Sequence, residues 1–235
     1  MSAIFKREFK AYFNTPIGLL VLGMICFLGG LFFFLYNMAG GLADLSYVFS
    51  SMLNFLLLLV LPVLTMRLMS DDKRQKTDQA LFTAPVGLWG IVLGKFFAAL
   101  LLFLIGISIT IVFAVIIALQ VTPDWLSIIG NYLGLLMLGG MIISIGMLIS
   151  SLTESQFIAA LGTFIASFVL LMVDSLASLS DSTFVSTVVE FLSVSQRYGH
   201  FTAGIIHYGD IVFFLSMQAL FLFLTVRVLD RKRWN

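Results

Sequence analysis

The sequence predicts an all-α integral membrane protein with six transmembrane helices. Three observations lead to this fold class: the composition, six long apolar stretches and the placement of the basic residues. Of 235 residues, 60% are hydrophobic and 11% are charged, and the mean hydropathy is +1.10. An ordinary soluble domain uses roughly half apolar and about a quarter charged residues, so that class is excluded. Since no polar stretch is long enough to build its own core, we expect a single transmembrane domain over 1–235.

Six apolar stretches have the length of about 20 residues that a helix needs to cross the bilayer. The first is longer than the apolar core of a cleavable signal peptide, so we expect it to be retained. The third is too long for a simple crossing, which predicts that its first turns lie at the interface and that Lys95 extends towards water. The predicted spans are 17–36, 47–66, 88–119, 126–149, 157–173 and 211–228.

The basic residues predict the orientation of these spans. With six spans, twelve of the 13 lysines and arginines fall on one side of the membrane, and only Arg197 falls on the other. Cytoplasmic loops carry the excess of basic residues in membrane proteins. Both termini and the charged stretch after the second span are therefore expected in the cytoplasm.

The residues before the first span, 1–16, predict an amphipathic helix that lies in the cytoplasmic interface and ends near Pro16. The alternative is a basic flank that only fixes the topology. On a helix, the aromatic and basic side chains separate to two sides, which are Phe5, Phe9, Tyr12 and Phe13 against Lys6, Arg7 and Lys10.

On the outer side, residues 191–209 between the fifth and sixth spans are apolar enough to touch the membrane but too short to cross it. They predict a re-entrant or interfacial hairpin, with an ordinary outer loop as the alternative. Its glycines are expected to permit turns, at Gly199, Gly204 and Gly209. We interpret Arg197, His200 and His207 as polar residues of this segment, because no carboxylate cluster that would make the histidines metal ligands is evident beside them.

Several kinds of chemistry have no sequence signal. There is no G-x-x-x-x-G-K-[ST] loop for ATP phosphates, no H-E-x-x-H motif, and a single cysteine, Cys26. Ion-coupled transporters carry ionisable groups inside the bilayer, and the predicted spans carry almost none. An intramembrane enzyme is disfavoured because the spans hold no convergent acids, bases or nucleophiles. We therefore expect no cofactor in this chain and an energy source in a cytosolic partner.

The charged stretch has two interpretations. Six of the nine residues from Ser70 to Asp78 are charged. As a helix over 70–85, ended by Pro85, the stretch would present charges of both signs to the cytosol and suit docking into a soluble partner. As a solvated loop it would only set topology. The residues alone leave these two possibilities open.

Three segments resemble the type-two ABC export permeases, especially their GldF-like gliding-motility and multidrug branch. The first carries an acidic and basic run, then Thr77, Leu81 and an Ala-Pro-Val end, with Asp71-Asp72 where a Glu-rich pair is usual. With the six-span plan, the resemblance covers nearly the whole chain. The segments are LPVLTMRLMSDDKRQKTDQALFTAPVG, ISSLTESQFIAALGTF and GHFTAGIIHYGDIVFFLSMQALFLFLTVRVLDRKRW.

The resemblance implies the permease subunit of an ATP-driven exporter in a bacterial cytoplasmic membrane. Its partners would be cytosolic ATPase subunits that bind ATP and Mg²⁺, a second permease subunit and membrane lipid, with no nucleic acid. The N-terminal helix would be the connecting helix, and 191–209 the re-entrant segment. A scaffold that transports nothing is the alternative. The residues that the resemblance assigns to ATPase coupling are Asp71, Asp72, Lys73, Arg74, Thr77, Leu81 and Pro85.

Residues Thr153 to Gln156 predict the start of the fifth span. In a capping box, the Thr153 oxygen would accept from a free backbone N–H, and the Gln156 side chain would reach back. Glu154 suits the positive end of the helix dipole. The resemblance adds a second interpretation, in which Thr153 and Glu154 make a further contact with the ATPase.

Small and aromatic residues complete the expectations. Gly130 and Gly134 form a G-x-x-x-G motif in the fourth span, which lets helices approach closely. We expect this motif to pack within the subunit, with a dimer contact as the alternative. The run 31–35, LFFFL, is expected to face lipid.

Overall fold

A computed structural model gives the fold and describes residues 2–76, 87–119, 123–177 and 193–234. Six of its helices are long and apolar enough to span a membrane, and they coincide with the six predicted spans. Five of them are longer than predicted, most of all the second, which continues to Arg74, and the sixth, which begins at Tyr208. We number these helices as spans 1 to 6: Pro16–Ala39, Ser46–Arg74, Leu88–Ala118, Trp125–Leu152, Gln156–Val173 and Tyr208–Arg231.

The predicted N-terminal helix is present as Ser2–Asn14. It ends before Pro16, which occupies the first turn of span 1, where a missing N–H costs nothing. The helix buries Ile4 and Tyr12 and packs against spans 1 and 3. A Cβ on Gly18 would collide with the backbone of Tyr12, so the sharp return into span 1 requires glycine there.

Span 4 lies at the centre of the bundle. Its most apolar window is 72% buried, against 17% for span 5 at the periphery. Its glycines each face another part of the chain: Gly130 the backbone of Phe201, Gly139 the ring of Phe103, and Gly146 the side chain of Thr65. Gly134 faces the side chains of Tyr198 and Phe201, so the prediction that the Gly130–Gly134 motif packs within the subunit is confirmed.

Three spans depart from regular α-helix. Span 1 ends in a π-helical segment, Phe34–Ala39. Span 2 comprises Ser46–Phe55, a π-helical turn Leu56–Val60, Leu61–Thr65 and, after a turn, Ser70–Arg74. Pro62 is the second residue after the π turn and lacks the N–H of a regular helix residue.

Span 3 breaks between Leu88–Ile107 and Thr110–Ala118. The carbonyl of Ile107 that the break releases accepts from the Tyr132 hydroxyl of span 4. The excess length that the sequence indicates in span 3 is thus accommodated by a break towards its second end.

Two predictions about side chains in or near the spans were wrong. Phe32 and Phe33 in the LFFFL run are buried, because Phe32 packs on Phe55 and Phe33 stacks on Phe113. Only Phe34 and the flanking leucines of that run are exposed. Of the three glycines expected in turns, only Gly204 has a positive φ, +71°, whereas Gly199 lies inside a helix.

The described part of the predicted re-entrant segment is a helix, Val194–Thr202, that we call the far-end helix. Ser193 caps it by accepting from the backbone N–H of Gln196. It packs along the first half of span 4 through Tyr198 and Phe201, both buried. Residues 191 and 192 lie outside the described residues.

Candidate functional site

The charged stretch after span 2 folds onto the bundle. Its first part is the short helix Ser70–Arg74, in which Ser70 and Lys73 are buried. The carboxylate of Asp71 lies 2.7 Å from Nε of Arg67 and also accepts from the Gln156 side chain at the start of span 5. Arg67 in turn donates to the hydroxyl of Thr15, 3.1 Å away, just before span 1. The base of the predicted coupling helix is therefore bonded to the first residues of two other spans.

Lys95 lies at the centre of this end of the molecule. Its Nζ is 2.7 Å from Oδ2 of Asp72, 2.7 Å from the carbonyl oxygen of Leu68 and 3.4 Å from Oε1 of Glu8. Its side chain is 2% exposed, so the expectation that Lys95 extends to water was wrong. The Lys95 side chain does not extend to the surface because the carboxylates of Asp72 and Glu8, from two other elements, contact its ammonium group within the bundle.

Glu8 is the site residue that sequence reasoning missed. It also accepts from Arg7 at 2.7 Å, and this hydrogen bond raises the pKa of Arg7. The available signal was that Glu8 is the single acidic residue in an otherwise basic N-terminal helix. Through Glu8, the N-terminal helix joins the ion pair between spans 2 and 3. We call Glu8, Asp72 and Lys95 the buried triad.

The end of span 4 holds the same short helix from its other side. The hydroxyl oxygen of Ser150 accepts from the backbone N–H groups of Met69 and Ser70, at 3.1 and 2.9 Å. The ammonium group of Lys73 donates to the carbonyl of Ser151, in the last turn of span 4. A cation there stabilises the negative end of the helix dipole. The short helix thus has both its N-terminal amides and one lysine bonded to span 4.

The predicted capping box is not formed. Thr153 accepts from the backbone N–H of Ser155 at 3.1 Å, and Gln156 reaches Asp71 instead of turning back. The competing carboxylate is the physical reason, because Gln156 stands beside the short helix. Glu154 is exposed and remains available to a partner.

A cavity of about 330 Å³ opens between the N-terminal helix and the short helix. Both signs of charge line it, with Arg7 and Arg67 opposite Glu8 and Asp71. Burial raises the pKa of Tyr12, which also lines it. In the described parts of the chain, no group of three histidine, cysteine, aspartate or glutamate side chains could hold a metal ion.

Beyond this cavity the chain turns outward. Arg74, Gln75 and Lys76 are exposed, and Lys76 has a φ of +55° that ends the short helix. The predicted coupling residues Thr77, Leu81 and Pro85 lie outside the described residues, as do all residues from 77 to 86. The described part shows Asp71 and Asp72 turned inward and Arg74 turned to solvent.

The opposite end holds the other predicted site residues. Asp210 at the start of span 6 accepts from Arg197 and faces Nδ1 of His200, each at 2.8 Å. The guanidinium of Arg197 also lies 4.2 Å from the centre of the Phe213 ring. Sequence reasoning found no carboxylate cluster beside the histidines, and the structure places one carboxylate there, Asp210, which the turn at Gly204 brings close to His200.

A second polar centre fixes the far-end helix to span 4. Oδ1 of Asn131 accepts from the hydroxyls of Tyr198 and Thr202, both at 3.0 Å, and Nδ2 of Asn131 donates to the carbonyl of Ser127. Burial raises the pKa of Tyr198. Asn131 was not singled out from the sequence, because a lone Asn in an apolar span does not indicate its partners.

Comparison with known proteins gives no family for the chain: no protein-family model matches it, and none of the curated proteins compared matches it.

Proposed function

We propose that this chain is the permease subunit of an ATP-driven exporter, working with a separate cytosolic ATPase and a second permease subunit. ATP-driven movement of the ATPase would push on the stretch that follows span 2 and change the packing of the spans. The proposed location is a bacterial cytoplasmic membrane with both termini in the cytoplasm. The chain itself would hold no cofactor, and ATP and Mg²⁺ would bind to the ATPase.

The observation that supports this proposal most is the short helix Ser70–Arg74. It is the last part of span 2 and is bonded to spans 3, 4 and 5 through Asp72, Ser70, Lys73 and Asp71. Lys95, which Asp72 contacts, also lies 3.4 Å from Glu8 and so links the short helix to the N-terminal helix. A force applied to the exposed residues that follow the short helix would therefore act on the N-terminal helix and on spans 2, 3, 4 and 5. A loop whose only role is to set topology needs no such bonds.

The charge distribution supports an external energy source. In the six spans, charged side chains occur only towards the ends, and spans 1, 4 and 5 contain none. Transport coupled to protons or sodium needs ionisable groups within the bilayer. Their absence from these spans favours a partner that supplies the work.

The test uses the tagged full chain, purified in mild detergent from its native membrane, with mass spectrometry of the proteins that accompany it. We expect a stoichiometric cytosolic ATPase. Arg74→Glu should abolish its recovery, because Arg74 is exposed at the proposed contact. Lys6→Glu, which reverses an exposed lysine on the N-terminal helix, is the matched control and should retain the ATPase.

Asp71 and Asp72 are unsuitable for this test, since their substitution would break ion pairs inside the fold. If no ATPase accompanies the wild-type chain in several mild detergents, the exporter proposal fails and the scaffold alternative takes its place. If Arg74→Glu retains the ATPase as well as Lys6→Glu does, the docking contact lies elsewhere.

A further inference from the structure

A polar groove runs along the first half of span 2, at the end opposite the buried triad. The far-end helix forms its other wall, and its volume is about 640 Å³. Of the described residues that line it, only Asp44, at the rim, is charged, and that carboxylate accepts from the backbone N–H of Ser46 at 2.9 Å. The polar side chains that matter for the argument are Ser46, Tyr47, Ser50, Asn54, Ser195 and Tyr198.

Measured along span 2, the groove is nearly as long as half of the hydrocarbon core is thick. Asn54 follows Ser46 by eight residues, which is about 12 Å along a helix, and half of the hydrocarbon core is about 15 Å. Both Ser50 and Asn54 are exposed. Among the described residues, the Asn54 amide makes one hydrogen bond, from Nδ2 to the carbonyl of Ser50 at 3.4 Å. An amide oxygen that faces acyl chains without a hydrogen bond costs free energy. This face therefore suits a ligand that can form hydrogen bonds.

Part of the groove wall is held in place by span 4. The Tyr198 hydroxyl donates to Asn131, and the hydroxyl of Ser46 lies 3.1 Å from that of Ser127. These bonds fix the far-end helix and the start of span 2 relative to each other. The hydroxyls of Ser50 and Ser195 and the amide of Asn54 then face a groove of defined width.

The flank and the continuation of the groove are aromatic and apolar. The rings of Tyr36 and Tyr47 lie 6.1 Å apart, and those of Phe32 and Phe55 lie 5.4 Å apart. Below Asn54, Phe55 and Leu59 are 43% and 46% exposed. Aromatic rings can stack on the C–H faces of sugars, and exposed apolar side chains can accompany an acyl chain. Polar and apolar side chains therefore occupy neighbouring faces of span 2, an arrangement that suits an amphipathic lipid.

We propose that this groove binds the uncharged, hydroxyl-rich head group of a lipid, with an acyl chain along Phe55 and Leu59. A neutral glycolipid has this chemistry. An anionic phospholipid does not fit, because arginine and lysine are the side chains that bind phosphate and none lines the groove. Binding by this chain does not depend on an ATPase, and only the interpretation of the lipid as exported cargo rests on the proposed function.

The test is a binding measurement on the full chain in phosphatidylcholine nanodiscs, by native mass spectrometry. The probes are monoglucosyl diacylglycerol, diacylglycerol and phosphatidylglycerol with the same acyl chains. We expect the glucosyl lipid to bind about tenfold more tightly than either of the others. Asn54→Leu and the double variant Ser50→Ala/Ser195→Ala should each lose about tenfold in affinity for it, through lost hydrogen bonds.

Ser216→Ala is the matched control. Ser216 is an exposed hydroxyl on span 6 that donates to the carbonyl of Phe213 at 2.8 Å, away from the groove, and its loss should leave binding unchanged. Thermal unfolding checks that each variant folds. If Asn54→Leu does not fold, the double variant Ser50→Ala/Ser195→Ala tests the proposal. Equal affinity for diacylglycerol, a preference for phosphatidylglycerol, or unchanged binding by a folded variant would each overturn the proposal.

The binding test and the test of the proposed function can fail independently of each other. Selective binding without any accompanying ATPase would leave the lipid groove standing and remove the exporter. An accompanying ATPase without selective binding would do the reverse.

Discussion

The ammonium group of Lys95 lies 2.7 Å from the carboxylate of Asp72, and the Lys95 side chain is 2% exposed. This pair joins the start of span 3 to the helix that ends span 2. Glu8 approaches the same ammonium group at 3.4 Å and brings in the N-terminal helix. A buried cation held by carboxylates from two other elements makes the packing at this end depend on all three residues.

Lys95→Met should destabilise the protein strongly. It leaves Glu8 and Asp72 close together without their shared cation, and removing one partner of a buried pair costs about 3–5 kcal/mol. For a chain of this length we expect a fall of about 10 °C in the unfolding temperature. Thermal unfolding in detergent, followed by circular dichroism, measures it. Lys6→Met, at an exposed lysine, should change little.

The triad makes a further prediction about its own charges. The triple variant Lys95→Met/Glu8→Gln/Asp72→Asn also neutralises the two carboxylates that lose the Lys95 ammonium group, so it should recover much of the stability that Lys95→Met loses. A triple variant less stable than Lys95→Met would show that the carboxylates are held mainly by other partners.

Glycine substitutions should separate close helix contacts from open faces. Gly130→Ala places a Cβ against the backbone oxygen of Phe201, which cannot move aside as a side chain can. We expect it to destabilise the protein by about 1–3 kcal/mol. Gly23→Ala is the matched control in another span, because its Cβ would meet no atom within 4 Å. Equal unfolding temperatures for the two variants would contradict the packing of the far-end helix on span 4.

The Asn131 contacts should hold the far-end helix closed. Asn131→Ala leaves the buried hydroxyl of Tyr198 without its acceptor, at about 1–3 kcal/mol, whereas the hydroxyl of Thr202 keeps the carbonyl of Tyr198 at 3.3 Å. Hydrogen exchange followed by mass spectrometry should show at least tenfold faster exchange in Val194–Thr202. Asn14→Ala, at the exposed end of the N-terminal helix, should leave that exchange unaltered. Unaltered exchange in Asn131→Ala would show that apolar packing alone holds the helix.

The predicted orientation can be read from cysteine labelling in intact cells. In a Cys26→Ser background, Gln75→Cys should react with a membrane-impermeant maleimide only after the cells are opened. Ala43→Cys, between spans 1 and 2, should react in intact cells. Both positions are exposed, so reactivity reports the side of the membrane. The reverse pattern would place the charged end outside and remove the cytosolic ATPase from consideration.

Sequence reasoning succeeded where one physical quantity dominates. Six spans were predictable because a helix in lipid must be apolar over about 20 residues whatever it packs against. The N-terminal helix was predictable for a similar reason, since Pro16 ends it and its two sides differ in polarity. The intrasubunit packing of Gly130 and Gly139 also followed from their size.

The errors fall where distant side chains compete for a partner. The sequence alone gave no sign that Gln156 would meet Asp71 rather than turn back to its own helix. It gave equally little sign that Asp210 would meet His200. Phe33 was expected to face lipid because hydropathy does not distinguish lipid from the ring of Phe113. Each partner is close only once the spans are assembled.

The sequence by itself therefore determined that the helices are apolar enough for a lipid bilayer, how many such helices there are, and that charge is concentrated at one end. These follow from composition and from the transfer of side chains between water and lipid, which are local properties. Only the tertiary structure decided that Asp71 and Asp72 form ion pairs with Arg67 and Lys95 within the molecule. It also decided that Glu8 joins the Lys95 ion pair and that Asn54 faces a groove. Those facts depend on distances between residues far apart in the chain, which are set by how the helices pack.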